Sequence, residues 1–188
     1  MTSGFSHVIG FDDAPFDREY RGDVLIVGAV YAGLRLEGVL SAKVRRDGVN
    51  ATDVLIRTLR ASRFLPQAHL LLLQGIALAG FNVVDLEALH QAVHIPVMAA
   101  ARRRPNLSRI KAALLEHVVG GPRKWRLIEK AGPMESAAGL FVQRAGITID
   151  DARLVLKRIA VHGSMPEPLR TAHLIAGGVT LGESRHRV

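Results

Sequence analysis

Apolar and polar positions along the chain change period several times, and the changes mark out its elements. Residues 7–16, HVIGFDDAPF, form an apolar run that closes on two adjacent carboxylates, Asp12 and Asp13, just before Pro15. The β-branched and apolar runs at 23–33 and 34–46 are separated by a glycine turn and read as a hairpin. Together with the opening run they predict a three-strand antiparallel meander.

Beyond the meander the period becomes helical. Asn50 is placed to cap a helix with Leu55 and Leu59 on one face and Arg57, Arg60 and Arg63 on another, ending near Pro66. Residues 68–77, AHLLLLQGIA, are almost continuously apolar, as expected of a strand buried on both faces. Leu86, Leu89 and Val93 predict a short helix, and 95–101 a further strand. Pro105 opens a helix with the stripe Leu107, Ile110, Leu114 and Val118, which the GGP at 120–122 stops. WRLIEKAGP and AGLFVQRAG read as short strands. Thr148 with Asp151 predicts a capped helix closing near Gly163, and a final helix begins around PEPLRTAHLIAGG.

The order β-β-β-α-β-α-β-α with a mixed tail predicts an α/β protein: a mixed sheet with an antiparallel three-strand meander and helices on both faces. That is the arrangement of the RNase H-like fold, and the same order also suits other three-layer sheets. A chain of 188 residues, 48% hydrophobic and without internal repeats or linker-like stretches, is expected to form one domain over 1–188.

Composition narrows the function classes. Lys and Arg number 25 against 17 Asp and Glu, a formal net charge of +8, which favours a polyanionic partner such as nucleic acid; solubility is the plainer use of the same charge. The absence of cysteine excludes a disulfide framework, a thiolate zinc site and a thiol nucleophile. No apolar stretch approaches the roughly 18 residues of a spanning helix, and the first residues lack a basic segment followed by a long apolar one. No membrane partner and a cytoplasmic location are expected.

Candidate chemistry starts at the paired acids. Side chains alternate along a strand, so Asp12 and Asp13 point to opposite faces, and only one, Asp12, is expected to look into a site. Asp13 is expected to shape the turn or support the site from behind, and turn-making is the bland reading of both. Asp47 lies in RRDGVNAT between the third strand and the first helix, and Gln74 closes the central strand. In a meander-first sheet these positions converge on one edge. Asp12, Asp47 and the Gln74 carbonyl would then form an all-oxygen set suited to Mg²⁺ or Mn²⁺, with chemistry directed at a phosphodiester. Gln74 contributes no charge to it.

Arg170 and His173 share a face of the last helix, the histidine placed to orient or transfer a proton and the arginine to hold a phosphate. Three basic clusters fall at element ends: Lys43, Arg45 and Arg46; Arg102, Arg103 and Arg104; and Arg123, Lys124 and Arg126 around the only tryptophan, Trp125. Each fits a solvated face; together they are expected to track a phosphate backbone, with Trp125 as a stacking platform. Lys43 is a candidate phosphate contact. His90 and His94 are i and i+4 but lack the acid of H-E-x-x-H and sit beside Pro96, so zinc is not expected.

VIGFDDAPF, EGVLSAKVRRDGVNAT, LLLQGIALAGFNVVD and PEPLRTAHLIAGG with GESRHR resemble the endonuclease dU family, best known from archaea and similar to endonuclease V. The resemblance covers nearly the whole chain, with GFNVVD and PEPLRTAH as its specific parts. It implies an RNase H-like fold and metal-dependent cleavage of DNA near a deaminated base such as deoxyuridine. It further implies that Asp12 matches the metal-binding aspartate on the first strand of endonuclease V. Asp47 sits where that enzyme has a glutamate opening its first helix, and His173 lies in a similar last-helix stretch. Gln74 departs from the pattern, an aspartate followed by glycine in endonuclease V, and the tyrosine-proline wedge of that enzyme has no counterpart. The alternatives are a nucleic-acid-binding module without catalysis and a hydrolase of small phosphorylated substrates.

Overall fold

The computed structural model describes residues 4–184, so His186 and the end of GESRHR lie outside the described residues. The meander forms as expected: β1 (His7–Asp13), β2 (Asp23–Ala32) and β3 (Arg35–Arg45) are consecutive antiparallel neighbours. After them come α1 (Ala51–Arg60), a single 3₁₀ turn at Leu65–Gln67, and β4 (Leu70–Gln74). A two-rung hairpin, β5 (Ala77–Leu78) and β6 (Asn82–Val83), precedes α2 (Leu86–Val93) and β7 (Val97–Ala101). The remainder is α3 (Leu107–His117), α4 (Gly121–Lys130), β8 (Glu135–Ala137), β9 (Leu140–Ala145), α5 (Ile149–Ile159) and α6 (Glu167–Leu181).

Seven strands make one mixed sheet in the order β3-β2-β1-β4-β7-β9-β8. Because β4 runs parallel to β1 and to β7, and β3 runs the same way, the C-terminal ends of β1, β3, β4 and β7 reach one edge. Alternation then sorts the core into two layers. Ile9, Phe11, Leu71, Leu73 and Val97 pack with Leu55 and Leu59 of α1 and Leu86 and Leu89 of α2. Val8, Leu70, Leu72 and Met98 pack on the other face with Leu156 and Ile159 of α5 and Leu169 of α6. Among the described residues no helix is long and apolar enough to cross a membrane.

Close approach of α6 to β1 depends on Gly10. A Cβ there would lie 2.6 Å from the Pro168 carbonyl carbon and 2.8 Å from the Leu169 nitrogen, so any side chain would push the helix off the strand. This contact sets the height of His173 over the end of β1.

Three local expectations need correction. WRLIEKAGP is the body of helix α4, and its buried positions Gly121, Lys124 and Ile128 recur at helical spacing. Helix α3 ends at His117 with Val118 as its cap, Gly120, at φ 72°, caps the start of α4, and Pro122 sits in the first turn of that helix, which it suits. Asn50 makes no side-chain cap on α1; its Oδ1 accepts from Arg45 N and from Asn82 Nδ2, while Asn82 Oδ1 accepts from Ala51 N at 3.0 Å. Helix α3 is capped by Asn106, whose side chain accepts from Arg109 N, one residue beyond Pro105. The Thr148 cap forms as expected, with Oγ1 accepting from Asp151 N at 3.1 Å.

Candidate functional site

Asp12 lies near the end of β1, on the α6 face, and is buried at 3% exposure. A buried carboxylate is costly unless its oxygens are satisfied, and both are. Oδ2 accepts from His173 Nδ1 at 2.8 Å and Oδ1 from the Asp13 amide at 2.9 Å. The hydrogen bond orients the imidazole.

Asp13 points to the opposite face, as alternation requires, and its Oδ2 accepts from Ala79 N at 2.7 Å in the β5–β6 turn. At the strand end the two carboxylates nevertheless meet. Burial, then the charge of Asp12, then a hydrogen bond with the Asp12 side chain push the Asp13 carboxyl up to about 7, against the pull of the Ala79 amide. Both acids line one cavity of about 370 Å³ with Gln74, His173, Gly177 and Ser184.

Gln74 ends β4 beside them, paired in register with Ala100 of β7. Its Oε1 is buried without a hydrogen-bond partner among the described residues. An orphaned amide oxygen beside two crowded carboxylates lacks a positive partner, and three oxygen donors of this kind suit a hard divalent cation such as Mg²⁺ or Mn²⁺. The residues present therefore fit the metal that the resemblance implies, with Asp12, Asp13 and Gln74 as the oxygen set. Among the described residues no three His, Asp or Glu side chains are arranged by themselves to hold a metal ion, so the set needs the Gln74 amide oxygen as its third donor.

Asp47 is not among the residues lining this cavity. It follows β3 with φ 50°, and its Oδ1 accepts from Phe81 N at 2.8 Å while Oδ2 lies 3.3 Å from Arg46 Nε. Its backbone N–H donates to Ala79 O at 2.9 Å, and its carbonyl accepts from the ammonium of Lys124. Lys124 is 1% exposed, and burial draws its pKa below the usual lysine range against the pull of the Asp47 carboxylate. Sequence alone gave no signal for a buried lysine, since lysine is almost always solvated.

The basic clusters divide. Lys43 lines a second cavity of about 670 Å³ with Phe16, Asp17, Tyr20 and Asp23, which shares Ala14, Pro15, Phe16 and Leu181 with the first. Arg45 is exposed at the same edge, 3.7 Å from Asp23. Arg46 is turned inward, its side chain 14% exposed: it donates to the carbonyls of Asp17, Arg18 and Tyr20 and stacks over Phe16, bracing that loop. Arg102, Arg103 and Arg104 are exposed just past the end of β7, on the edge that carries Gln74. Trp125 stands apart on α4, its Nε1 donating to Glu129 at 2.6 Å and its ring 5.1 Å from the Lys111 ammonium. Arg170 donates to Glu167 within α6 and does not line the cavity beside His173.

Comparison with known proteins bears on this geometry. Residues 5–180 match the family described as endonuclease dU. A UPF0215 protein of Deinococcus radiodurans is 62% identical over 179 residues, covering 95% of this chain and 91% of its own length. The crystal structure of a protein of unknown function from Archaeoglobus fulgidus superposes with TM-score 0.85 at 33% identity, over 92% of this chain and 97% of that one. Endonuclease V of Ciona intestinalis, in complex with a 24mer DNA containing an inosine followed by a ribo-adenosine, matches with TM-score 0.57 at 13% identity, over 90% and 83% of the two chains. The last likeness is one of fold, and the fold is RNase H-like.

Proposed function

The chain belongs to the endonuclease dU family, and from that premise we propose that it is a metal-dependent endonuclease acting on DNA that contains deoxyuridine or another deaminated base. The observation that carries the reading is the oxygen set at the end of β1 and β4: two neighbouring carboxylates and an orphaned amide oxygen around one cavity, with an oriented imidazole beside them. When bound there, Mg²⁺ or Mn²⁺ supplies an activated water and a counter-charge for the phosphodiester oxygens.

The chain's own groups do the rest. Asp12 is locked by His173 and by the Asp13 amide, and Asp13 by the Ala79 amide, so neither carboxylate has to reorganise when charge develops. His173, oriented by Asp12, delivers a proton to the leaving oxygen. A DNA strand extends beyond the reacting phosphate, and the 670 Å³ cavity continues from the site past Phe16, with Lys43 on its wall as the phosphate contact. Arg45 and Arg102–Arg104 line the same edge and place positive charge along the strand's path.

The test is cleavage of end-labelled duplex and single-stranded oligonucleotides carrying deoxyuridine, deoxyinosine or no lesion, with Mg²⁺, Mn²⁺ or chelator. Chelator-sensitive, lesion-dependent cutting is expected. A second reading, a nucleic-acid-binding module without catalysis, draws on the amide at Gln74 in place of a third acid; it expects salt-sensitive binding with no cutting under any metal.

A further inference from the structure

Asp47 and Asp13 both hold the three-residue turn, Ala79 to Phe81, that joins β5 to β6. Ala79 and Gly80, at φ 50° and 84°, form the tip of the β5–β6 hairpin. Asp47 brackets that tip: its N–H donates to Ala79 O at 2.9 Å, and its Oδ1 accepts from Phe81 N at 2.8 Å. The carboxylate presses so closely on the tip that a Cβ at Gly80 would lie 2.4 Å from Oδ1. Ala79 N donates to Asp13 Oδ2 at 2.7 Å. The hydrogen bonds therefore run in series from Asp47 through the turn to Asp13. Lys124, on α4 and 1% exposed, donates its ammonium to the Asp47 carbonyl and braces the start of the series.

Both Asp47 oxygens are engaged, one by an amide and the other by the Arg46 guanidinium 3.3 Å away. A cation beside that guanidinium would meet like charge. We infer that Asp47 is a positioning residue, braced by Lys124, which holds the β5–β6 turn so that the Ala79 amide fixes the Asp13 carboxylate at the site. The inference rests on the oxygen set proposed above. Groups that orient a metal's ligands without touching it are worth about 10–100-fold in metal affinity.

The experiment titrates Mn²⁺ into the full chain by the electron paramagnetic resonance of free Mn²⁺ and follows hydrogen exchange at the Ala79 amide, in wild type, Asp47→Asn, Asp47→Gly and Lys124→Met. Asn retains an oxygen acceptor for Phe81 and tolerates the left-handed backbone, so Asp47→Asn keeps wild-type affinity and Ala79 protection. Asp47→Gly keeps the backbone freedom but loses the bracket: Ala79 protection falls, and Mn²⁺ binding weakens by about 10–100-fold. If Asp47→Asn loses Mn²⁺ as severely as Asp47→Gly while Ala79 stays protected, Asp47 is itself a ligand and the inference is overturned. Unchanged protection and affinity in both variants overturn it as well. Should Asp47→Gly fail to fold, Lys124→Met decides: lowered Ala79 protection supports the brace, and wild-type protection overturns it. If wild type binds no Mn²⁺, the metal reading fails, while the Ala79 exchange of the Asn and Gly pair still decides the positioning claim.

Discussion

Asp12 Oδ2 and His173 Nδ1 lie 2.8 Å apart although 161 residues separate them in sequence. The first sits at the end of the opening strand and the second in the middle of the last helix. Their meeting depends on α6 settling directly on β1 over Gly10, so the site closes only when the C-terminal helix docks.

His173→Gln keeps a polar side chain over β1 but removes the titratable imidazole. If the imidazole transfers the proton, cleavage falls by about 10²–10⁴-fold, the usual range for a lost general acid, while Mn²⁺ binding at Asp12, Asp13 and Gln74 persists. Single-turnover cleavage alongside Mn²⁺ titration separates the two effects. Equal loss in both would make His173 a structural partner of Asp12 alone.

The basic edge predicts a salt dependence. Each phosphate contact removed lowers the slope of log K against log salt by about one. Replacing Arg102, Arg103 and Arg104 by Ala should flatten the slope measured by fluorescence anisotropy on labelled DNA. Trp125→Ala should leave both slope and affinity unchanged, because its indole is already committed to Glu129 and Lys111 on α4.

Acid stability should report on Asp85, the cap of α2. Its carboxyl accepts from Ala88 N at 3.0 Å and pairs with Lys130 at 2.7 Å. Burial pushes its pKa up, but the Lys130 hydrogen bond, the Ala88 amide and the Lys130 charge outweigh it and hold the carboxyl below its ordinary value of 3.8. A carboxyl lowered on folding contributes stability that is full above its unfolded pKa, near 4, and is lost as pH falls through the folded value. Asp85→Ala should cost about 1 kcal/mol at neutral pH through the lost cap. Asp85→Asn keeps an acceptor for Ala88, loses only a partly exposed ion pair of less than about 1 kcal/mol, and removes this group's share of the acid transition. Urea denaturation between pH 3 and 7 tests all three statements.

Much of the architecture was legible because it is written in short-range periodicity. The apolar run of β4 reads as a strand buried on both faces, and Leu70 to Leu73 are all fully buried. Asp12 and Asp13 could be assigned to opposite faces from alternation alone, and the hydrogen bonds to His173 and Ala79 agree. What stayed hidden was tertiary. Nothing near Asp47 announces that the turn at Ala79, a non-glycine residue with positive φ, will occupy its carboxylate. Lys124 reads as one of three solvated cations, yet it lies on the buried face of α4, a helix whose residues read as a strand because Pro122 serves equally as a stop and a start. Arg46 reads as a nucleic-acid contact, but a guanidinium with several donors found the carbonyls of its own loop.

The central claim is that Asp12 anchors a metal-dependent phosphodiester cut, and the most direct measurement compares wild type with Asp12→Asn on deoxyuridine-containing DNA. The substitution is isosteric and keeps an oxygen for the Asp13 amide, so an unchanged melting temperature certifies the fold. The account predicts chelator-sensitive cleavage by wild type and loss of that cleavage in Asp12→Asn, with DNA binding retained. Cleavage by Asp12→Asn at the wild-type rate and with the wild-type metal dependence would contradict it.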